Sequence, residues 1–222
     1  MEQWDGVQDC VSTERYVGES AEIVKRLREY RDMELAAVAP FMNGDFTRWD
    51  FYLAATCEYC MRLIDGVVLM LESRNFICAE QLLRAQIGVC LRTFALVVCN
   101  DADEFLEVFF AGGRVDKVKD REGKNLTDGR LKELLSEYAP TVKDDYDMAS
   151  GFTHYSFEVI MSMSVPKESR AINFNFGAVP NEEVNSRLLG CGQRFLRYLD
   201  LHLQMLKKVV EADAWYKGRE KV

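Results

Sequence analysis

Residues 76–99, FICAEQLLRAQIGVCLRTFALVVC, form the most apolar long segment of this 222-residue chain. Apolar side chains recur along it every three or four positions, at Leu83, Ile87, Cys90, Phe94 and Val97. This spacing is the period of an amphipathic α-helix. Further apolar residues widen the stripe, so the segment predicts a central helix that other helices surround.

The segments on either side show the same period and carry helix-start signals. Thr47 and Asp50 form a capping box ahead of an apolar stripe, and Thr141 and Asp144 repeat that pattern. The link between the second and third helices is short, which predicts antiparallel neighbours. Helices are predicted over about residues 13–39, 48–71, 76–99, 101–110, 128–138, 141–154 and 181–215.

The period changes from 3.6 to 2 within residues 158–177, where apolar and polar side chains alternate on both sides of a polar link. Two alternating runs of this kind predict a two-stranded β-hairpin. Residues 114–127 are polar and charged and predict a mobile loop. The sequence therefore predicts one mainly α domain, residues 1–222. We expect an up-down bundle of long antiparallel helices, with the hairpin inserted before the last helix.

Charge and hydropathy exclude several classes of function. The formal net charge is −8, which disfavours binding to nucleic acid in general, although a local RNA-binding pocket stays possible. No apolar run approaches the roughly 20 residues that a bilayer requires. The first residues, MEQWDG, do not resemble a signal peptide. We expect a cytoplasmic protein with no membrane segment.

Seven cysteines, an odd number, fit a reducing compartment. Cys57 and Cys60 match the C-x-x-C spacing of zinc and redox sites, but the other cysteines are single. The chain has only two histidines, His154 and His202. The sequence also lacks a glycine-rich phosphate loop, a dinucleotide fingerprint and an H-E-x-x-H motif. We therefore favour core packing for the cysteines and expect neither a metal nor a cofactor.

Polar residues inside the apolar helices suggest a site between helices. Glu80 and Arg84 are four residues apart and can pair on one helix face. Glu58 and Arg62 repeat this spacing on the preceding helix, and Asp65 follows them. One interpretation is a salt-bridge network that fixes helix packing. The other is a polar pocket for an anionic or polar ligand.

A second group of polar residues lies in the helix predicted over residues 141–154. Ser150 and His154 are four residues apart and could act as nucleophile and base, and Tyr155 follows them. The pattern offers neither a nucleophile elbow nor an orienting acid, so we favour a structural role.

The string Glu80-x-Leu-Leu-Arg84, followed by Ser150-x-x-x-His154-x-Ser156, resembles an uncharacterised all-helical bacterial family. That family is similar to the HEPN (higher eukaryote and prokaryote nucleotide-binding) and abortive-infection helical bundles. The resemblance implies a helical fold, a link to phage defence, and one shared site for Glu80, Arg84, Ser150 and His154.

HEPN ribonucleases carry an arginine followed, after four to six residues, by a histidine that a dimer completes across its two-fold axis. Arg197 and His202 match this spacing, although Tyr198 follows the arginine where HEPN ribonucleases usually carry a polar residue. Five positions at 100° each place the two side chains about 140° apart on the helix.

The leading functional hypothesis is a non-enzymatic helical-bundle protein that binds a small ligand or a partner. The first alternative is an HEPN-like, metal-independent ribonuclease that uses Arg197 and His202 as a dimer. The second is a hydrolase or transferase that uses Ser150 and His154. A homodimer is the expected assembly, and its contact surfaces are predicted at Phe109 and Phe110 and at the hairpin residues Phe174 and Phe176.

Overall fold

The computed structural model describes residues 11–42, 47–154, 156–162, 164–166, 172–174 and 181–211. The predicted mainly helical class is confirmed. The elements in chain order are α1 (Thr13–Val38), a 3₁₀ turn (Ala39–Met42), α2 (Arg48–Glu72), α3 (Phe76–Val98), α4 (Ala102–Phe110), a second 3₁₀ turn (Val115–Lys117), α5 (Asp128–Leu135), α6 (Val142–Thr153), α7 (Phe157–Ser162), β1 (Ser164–Pro166), β2 (Ile172–Phe174) and α8 (Glu182–Glu211). The extension of the last helix past Trp215 lies outside the described residues.

Side-chain caps fix where the first two helices begin. Ser12 Oγ accepts the backbone N–H of Arg15 at 3.2 Å. Thr47 Oγ1 accepts the N–H of Asp50 at 3.2 Å, and the Asp50 carboxylate accepts the N–H of Thr47 at 2.9 Å. The predicted capping box is therefore confirmed, and it satisfies two of the free backbone donors at the start of α2.

The second predicted capping box, at Thr141 and Asp144, is wrong. Thr141 has helical backbone angles and makes no side-chain cap bond. Its hydroxyl donates instead to Asp145 Oδ2 at 2.8 Å. The hydroxyl therefore ties Thr141 to a buried carboxylate one turn further along the helix.

Four long helices, α1, α2, α3 and α8, form the bundle. Both α1 and α3 pack against α2 and against α8, while α4, α5 and α6 pack on α3. The core between them is apolar and includes the fully buried residues Leu27, Leu53, Ile64, Leu83, Ile87, Phe195 and Leu199. The predicted central position of the third helix is confirmed.

The direction of α8 departs from the predicted up-down order. Glu80 contacts Arg194 near the start of α3, and Cys90, further along α3, contacts Tyr198. Residue numbers rise together on the two helices, so α8 runs parallel to α3. Helix α8 therefore begins at the same end of the bundle as α3. Only the first three helices alternate as predicted.

The predicted hairpin over residues 158–177 is not supported. Residues 157–162 form α7 instead of a strand, and Val159 of this helix packs into the core. In the rest of the predicted hairpin range, the structure describes two short strands, β1 and β2. They pair antiparallel, with Ser164 opposite Phe174. The remaining hairpin residues lie outside the described ranges.

The segment 114–127 is anchored to the bundle, whereas the sequence predicted a mobile loop. Asp120 is buried, and its carboxylate accepts two backbone N–H groups of its own turn, at 2.8 and 2.9 Å. Arg130 Nε donates to the same carboxylate at 2.8 Å. Val118 and Leu126 insert into the core. The charged residues therefore organise the turn around two apolar anchors.

Among the helices in the described ranges, α3 is the one long and apolar enough to cross a membrane by length and composition. In its most apolar window, 56% of the residues are buried inside the protein. A core helix meets the same length and composition limits, and packing on α2, α6 and α8 accounts for the apolar character of α3.

Candidate functional site

A cleft of about 320 Å³ lies between α3, α6 and α8. Its apolar wall includes Phe76 and Phe152, whose rings meet edge to face with centroids 5.8 Å apart. Its polar wall is formed by one carboxylate and three guanidinium groups. The lining residues are Phe76, Glu80, Met148, Phe152, Arg187, Gly190, Gln193, Arg194 and Arg197.

Glu80 supplies the buried charge of this cleft. Glu80 is 3% exposed, and its Oε1 accepts a hydrogen bond from Arg194 Nη2. Oε2 is also buried and has no hydrogen-bond partner among the described residues. Burial raises the pKa of Glu80 more than the guanidinium of Arg194 lowers it. The carboxyl group can therefore hold a proton more readily than an exposed glutamate.

The three arginines of the cleft follow one side of α8. Arg194 is largely buried and lies 3.9 Å from Asp145, in addition to its bond with Glu80. Arg197 lies 3.4 Å from Asp145, and 54% of its side chain is exposed. Arg187 donates to Glu183 at 2.7 Å. The arginines at the two ends of the row are thus more accessible than the central one.

Gly190 keeps the α8 side of the cleft open. A Cβ atom placed on it would meet no heavy atom within 4 Å. The backbone carbonyl of Gly190 accepts a bond from Arg194 Nε at 3.3 Å. A side chain at this position would project into the free volume without first displacing a neighbour.

Arg84 lies in a different cluster, between α3, α5 and α6. Its Nε donates to Ser150 Oγ at 3.0 Å, and its guanidinium group lies 3.7 Å from the ring centroid of Tyr146. Asp128 accepts from the Tyr146 hydroxyl at 2.6 Å and also pairs with Arg92. Burial opposes ionisation of Asp128, but Tyr146 and Arg92 outweigh it and hold the pKa of that carboxyl below its usual value.

The predicted pairing of Glu80 with Arg84 is not formed. Both residues lie on α3, but Glu80 pairs with α8 while Arg84 pairs with α5 and α6. The hydroxyl of Ser150 is bound by Arg84. His154 is exposed at the end of α6, where its backbone N–H bonds the carbonyl of Ser150 at 3.3 Å. The structure therefore joins Arg84 to Ser150, and it links His154 to Ser150 through the backbone. Tyr155 lies outside the described residues.

The structure places Glu58, Arg62 and Asp65 on the surface of α2. Glu58 and Arg62 pair at 2.6 Å, with 51% and 73% of their side chains exposed. Asp65 pairs with Arg31 of α1 at 3.0 Å, and both side chains are exposed. These three residues therefore do not contribute to the cleft.

Arg197 and His202 also point to different places. Arg197 donates to Thr141 Oγ1 at 2.8 Å on the α6 side of the bundle. His202 is fully buried against α1 and α2. Within one chain the two side chains share no accessible site, in agreement with their separation around the helix.

The environment of His202 is a polar cluster inside the apolar core. Its Nδ1 lies 2.8 Å from Glu34 Oε1 and 3.5 Å from Cys60 Sγ. Its Nε2 lies 3.3 Å from Thr56 Oγ1, and Gln86 Nε2 donates to Cys60 Sγ at 3.3 Å. Burial lowers the pKa of His202, but Cys60 and Glu34 more than offset this and raise it to about 10.

The donor atoms of Glu34, Cys60 and His202 all lie within 4.8 Å of one another, and all three residues are buried. Carboxylate, thiolate and imidazole are the three donor types that zinc accepts in proteins. This group could hold a metal ion. Sequence reasoning considered Cys60 but missed its partners, because Glu34 and His202 are far from Cys60 and from each other in the chain. One available signal was an acid, Glu34, on the buried stripe of α1.

A larger groove, of about 520 Å³, follows α1 beside the end of α2. The charged residues that line it, Lys25, Arg28, Glu29, Asp32 and Glu72, are all exposed. The cleft beside Glu80 differs because it combines free volume with a buried carboxylate. It is therefore the better candidate for ligand binding.

No protein-family model, curated protein or solved structure matches this chain. The function is therefore inferred from the geometry of these clusters.

Proposed function

We propose that this protein is a non-enzymatic helical bundle that binds a small organic anion in the cleft between α3, α6 and α8. The observation that carries this proposal is the lining of the open cleft, where the guanidinium groups of Arg187, Arg194 and Arg197 outnumber the single carboxylate of Glu80.

The lining residues favour a ligand that is anionic at one end and apolar at the other. Three arginines face one glutamate around the cleft, so positive charge is in excess among its lining residues. Guanidinium groups match carboxylate and phosphate oxygens in a bidentate geometry. The edge-to-face pair of Phe76 and Phe152 offers a surface on which an aromatic or aliphatic group can pack. A volume of about 320 Å³ lies at the small end of known ligand pockets.

Binding is favoured over catalysis because the lining residues include no serine, cysteine or histidine. Ser150 is bound to Arg84, and His202 is enclosed by α1 and α2. Either side chain would have to leave its hydrogen-bond partners to act on a ligand in the cleft. A positioned nucleophile and base are the usual requirements for covalent catalysis.

Isothermal titration calorimetry with phenyl phosphate, benzoate and inorganic phosphate tests the proposal. We expect phenyl phosphate to bind more tightly than inorganic phosphate, since its ring can pack on the aromatic wall. The variant Gly190→Phe should abolish binding, because its side chain would fill the cleft. Arg197→Gln should weaken binding by about tenfold, the effect of losing one charge-assisted hydrogen bond.

The matched control is Gly18→Phe on α1. Gly18 also has no heavy atom within 4 Å of a Cβ position, and it lies outside the cleft. This variant should bind phenyl phosphate like the wild type. Equal affinity in Gly190→Phe and the wild type, or no binding of any of the three anions, would contradict the proposed site.

Self-association is a separate proposal. Phe51, Phe109 and Phe110 are exposed and lie together, with ring centroids 5.6 Å apart for Phe51 and Phe110 and 5.4 Å apart for Phe109 and Phe110. Exposed apolar patches on soluble proteins often mark binding surfaces. Sedimentation of the wild type and of Phe110→Ser tests a homodimer: a wild-type protein that remains monomeric at high concentration would contradict it.

A further inference from the structure

The polar cluster around His202 has features that hydrogen bonding within the chain does not explain. Glu34 is fully buried, and its Oε2 has no hydrogen-bond partner among the described residues. The same holds for Gln86 Oε1. Two buried acceptor atoms that lack partners in one core cluster are unfavourable, because burial has removed the water that would bond them. A cation bound by the Glu34 carboxylate would satisfy the oxygen that hydrogen bonds leave unpaired.

We propose that Glu34, Cys60 and His202, with Cys57 as the fourth ligand, bind one structural Zn²⁺ ion between α1, α2 and α8. The ion takes one ligand from α1, two from α2 and one from α8. It therefore joins three of the four long helices of the bundle at one point. Nothing in the proposed anion site beside Glu80 is needed for this ion to bind.

The donor spacing is close to that of a tetrahedral zinc site. Bonds of about 2.1 Å to nitrogen and oxygen and about 2.3 Å to sulfur place neighbouring donors roughly 3.3 to 3.6 Å apart. His202 Nδ1 and Cys60 Sγ are 3.5 Å apart, which already fits. His202 Nδ1 and Glu34 Oε1 are 2.8 Å apart, so the carboxylate would move back by about half an ångström as the ion replaces a hydrogen bond.

Cys57 can supply the fourth ligand. It precedes Cys60 by one helical turn on the same side of α2, and it is fully buried. Its thiol is not among the three donor atoms that already lie within 4.8 Å of one another, so its side chain would turn toward Cys60 to reach the ion. A four-coordinate, water-excluded set of cysteine, histidine and carboxylate is typical of structural zinc.

The groups around the cluster match the outer shell of a zinc site. A metal-bound histidine usually donates its second ring N–H to an oxygen, which fixes the ring. Here Nε2 of His202 faces Thr56 Oγ1 at 3.3 Å, and the Thr56 hydroxyl donates in turn to the carbonyl of Leu53 at 2.8 Å. The bond from Gln86 Nε2 to Cys60 Sγ would stabilise a zinc-bound thiolate.

The first experiment measures metal in the full-length wild-type chain. Elemental analysis of protein refolded with a small excess of Zn²⁺, then passed through a desalting column, should give about one zinc per chain. Replacement by Co²⁺ should produce thiolate-to-cobalt charge-transfer absorption in the near ultraviolet. Removal of zinc with a chelator should lower the melting temperature, and added Zn²⁺ should restore it, because zinc binds the folded chain.

The second experiment uses variants with a matched control. Loss of an outer-shell partner costs about 10–100-fold in metal affinity, so Cys60→Ser and His202→Gln should weaken zinc binding by at least about 100-fold. Cys99→Ser is the control, because Cys99 is a buried cysteine whose thiol bonds a carbonyl of its own helix. The control should retain the zinc content of the wild type.

Two results would overturn the zinc site. One is a refolded wild-type chain that holds no zinc and gives no cobalt charge-transfer band, a measurement that does not depend on whether the variants fold. The other is zinc affinity in Cys60→Ser equal to that of the wild type. Either result would leave Glu34 and His202 as a metal-free, hydrogen-bonded core pair. Both are independent of phenyl phosphate binding, so failure of the zinc site and failure of the anion site are distinguishable.

Discussion

Two of the charge pairs that helix α8 makes with other helices differ in access to solvent. Arg194 pairs with Glu80 beside an open cleft, with 14% and 4% of the two side chains exposed. His202 pairs with Glu34 in the core, where neither side chain is exposed at all. In each pair one carboxylate oxygen has no partner among the described residues. The first pair borders the free volume of the cleft, whereas the second is enclosed on all sides by the core.

Removal of the carboxylate should therefore lower the free energy of unfolding more for the core pair than for the cleft pair. Glu34→Ala leaves His202 without its partner in a water-free site, and we expect a loss of about 3–5 kcal/mol in the free energy of unfolding. Glu80→Ala exposes Arg194 to water in the cleft, and we expect a loss of about 1–2 kcal/mol. Urea denaturation in the presence of a chelator measures both losses without a contribution from metal. Equal losses would mean that solvent does not reach Arg194.

Two glycines on α8 provide a second contrast between the open and the closed face of this helix. A Cβ at Gly192 would lie 2.9 Å from Ile23 Cγ2, whereas a Cβ at Gly190 would meet nothing within 4 Å. Gly192→Ala should destabilise the protein by about 1–3 kcal/mol through overpacking against α1. Gly190→Ala should stabilise it by up to about 1 kcal/mol through helix propensity.

Thermal unfolding of the two alanine variants measures this contrast. Melting temperatures should shift in opposite directions, by about 2–4 °C for each kcal/mol in a chain of this size. A stabilising effect of Gly192→Ala would show that α1 and α8 are less closely packed than the Ile23 contact indicates.

Local signals explain why the sequence predicted the helices well. The capping box of Thr47 and Asp50 lies within one turn, so its two residues predict their own hydrogen bonds. The direction of α8 is seen instead in its contacts with α3, which join residues more than 100 positions apart and which no local pattern describes. The box predicted at Thr141 failed for a related reason, because Arg197 of α8 donates to the Thr141 hydroxyl, which donates in turn to the buried carboxylate of Asp145.

The candidate sites depend on contacts between distant parts of the chain. The spacing of Glu80 and Arg84 permits a pair on one helix face, but partners on other helices bind each side chain instead. The C-x-x-C spacing of Cys57 and Cys60 was visible in the sequence. His202, another proposed ligand, is far from both cysteines in the sequence and comes close to Cys60 only in the folded chain. A search for two closely spaced ligand pairs therefore could not detect it.

The pH dependence of stability should have opposite signs at Glu80 and Asp128. Burial raises the pKa of Glu80 above its ordinary value of 4.5 more than Arg194 lowers it. The contribution of Glu80 to stability is therefore present below about pH 4.5 and is lost as the pH rises through the folded-state pKa. Burial also opposes ionisation of Asp128, but Tyr146 and Arg92 hold its pKa below 3.8. Its contribution is present above about pH 3.8 and is lost as the pH falls through the folded-state pKa.

Urea denaturation of Glu80→Gln and Asp128→Asn between pH 3 and pH 8 measures both effects. Relative to the wild type, Glu80→Gln should gain stability as the pH rises. Asp128→Asn should be less stable than the wild type at neutral pH, and the difference should shrink in acid. A Glu80→Gln variant that loses stability with rising pH would show that Arg194 outweighs burial, so that the cleft holds an ordinary ionised pair.

The smallest effect is expected for the exposed pair on α2. Glu58 and Arg62 are four residues apart on one helix, and most of each side chain is in water. Such pairs contribute about 0.3–0.5 kcal/mol, because water screens the charges and ordering two long side chains costs entropy. Arg62→Ala should therefore change the free energy of unfolding by less than about 0.5 kcal/mol, and it should leave zinc content and phenyl phosphate binding at wild-type levels. A loss above about 1 kcal/mol, or weaker ligand binding, would couple the surface of α2 to the buried pairs. The distinction between open and enclosed charge pairs would then no longer account for the energetics of this bundle.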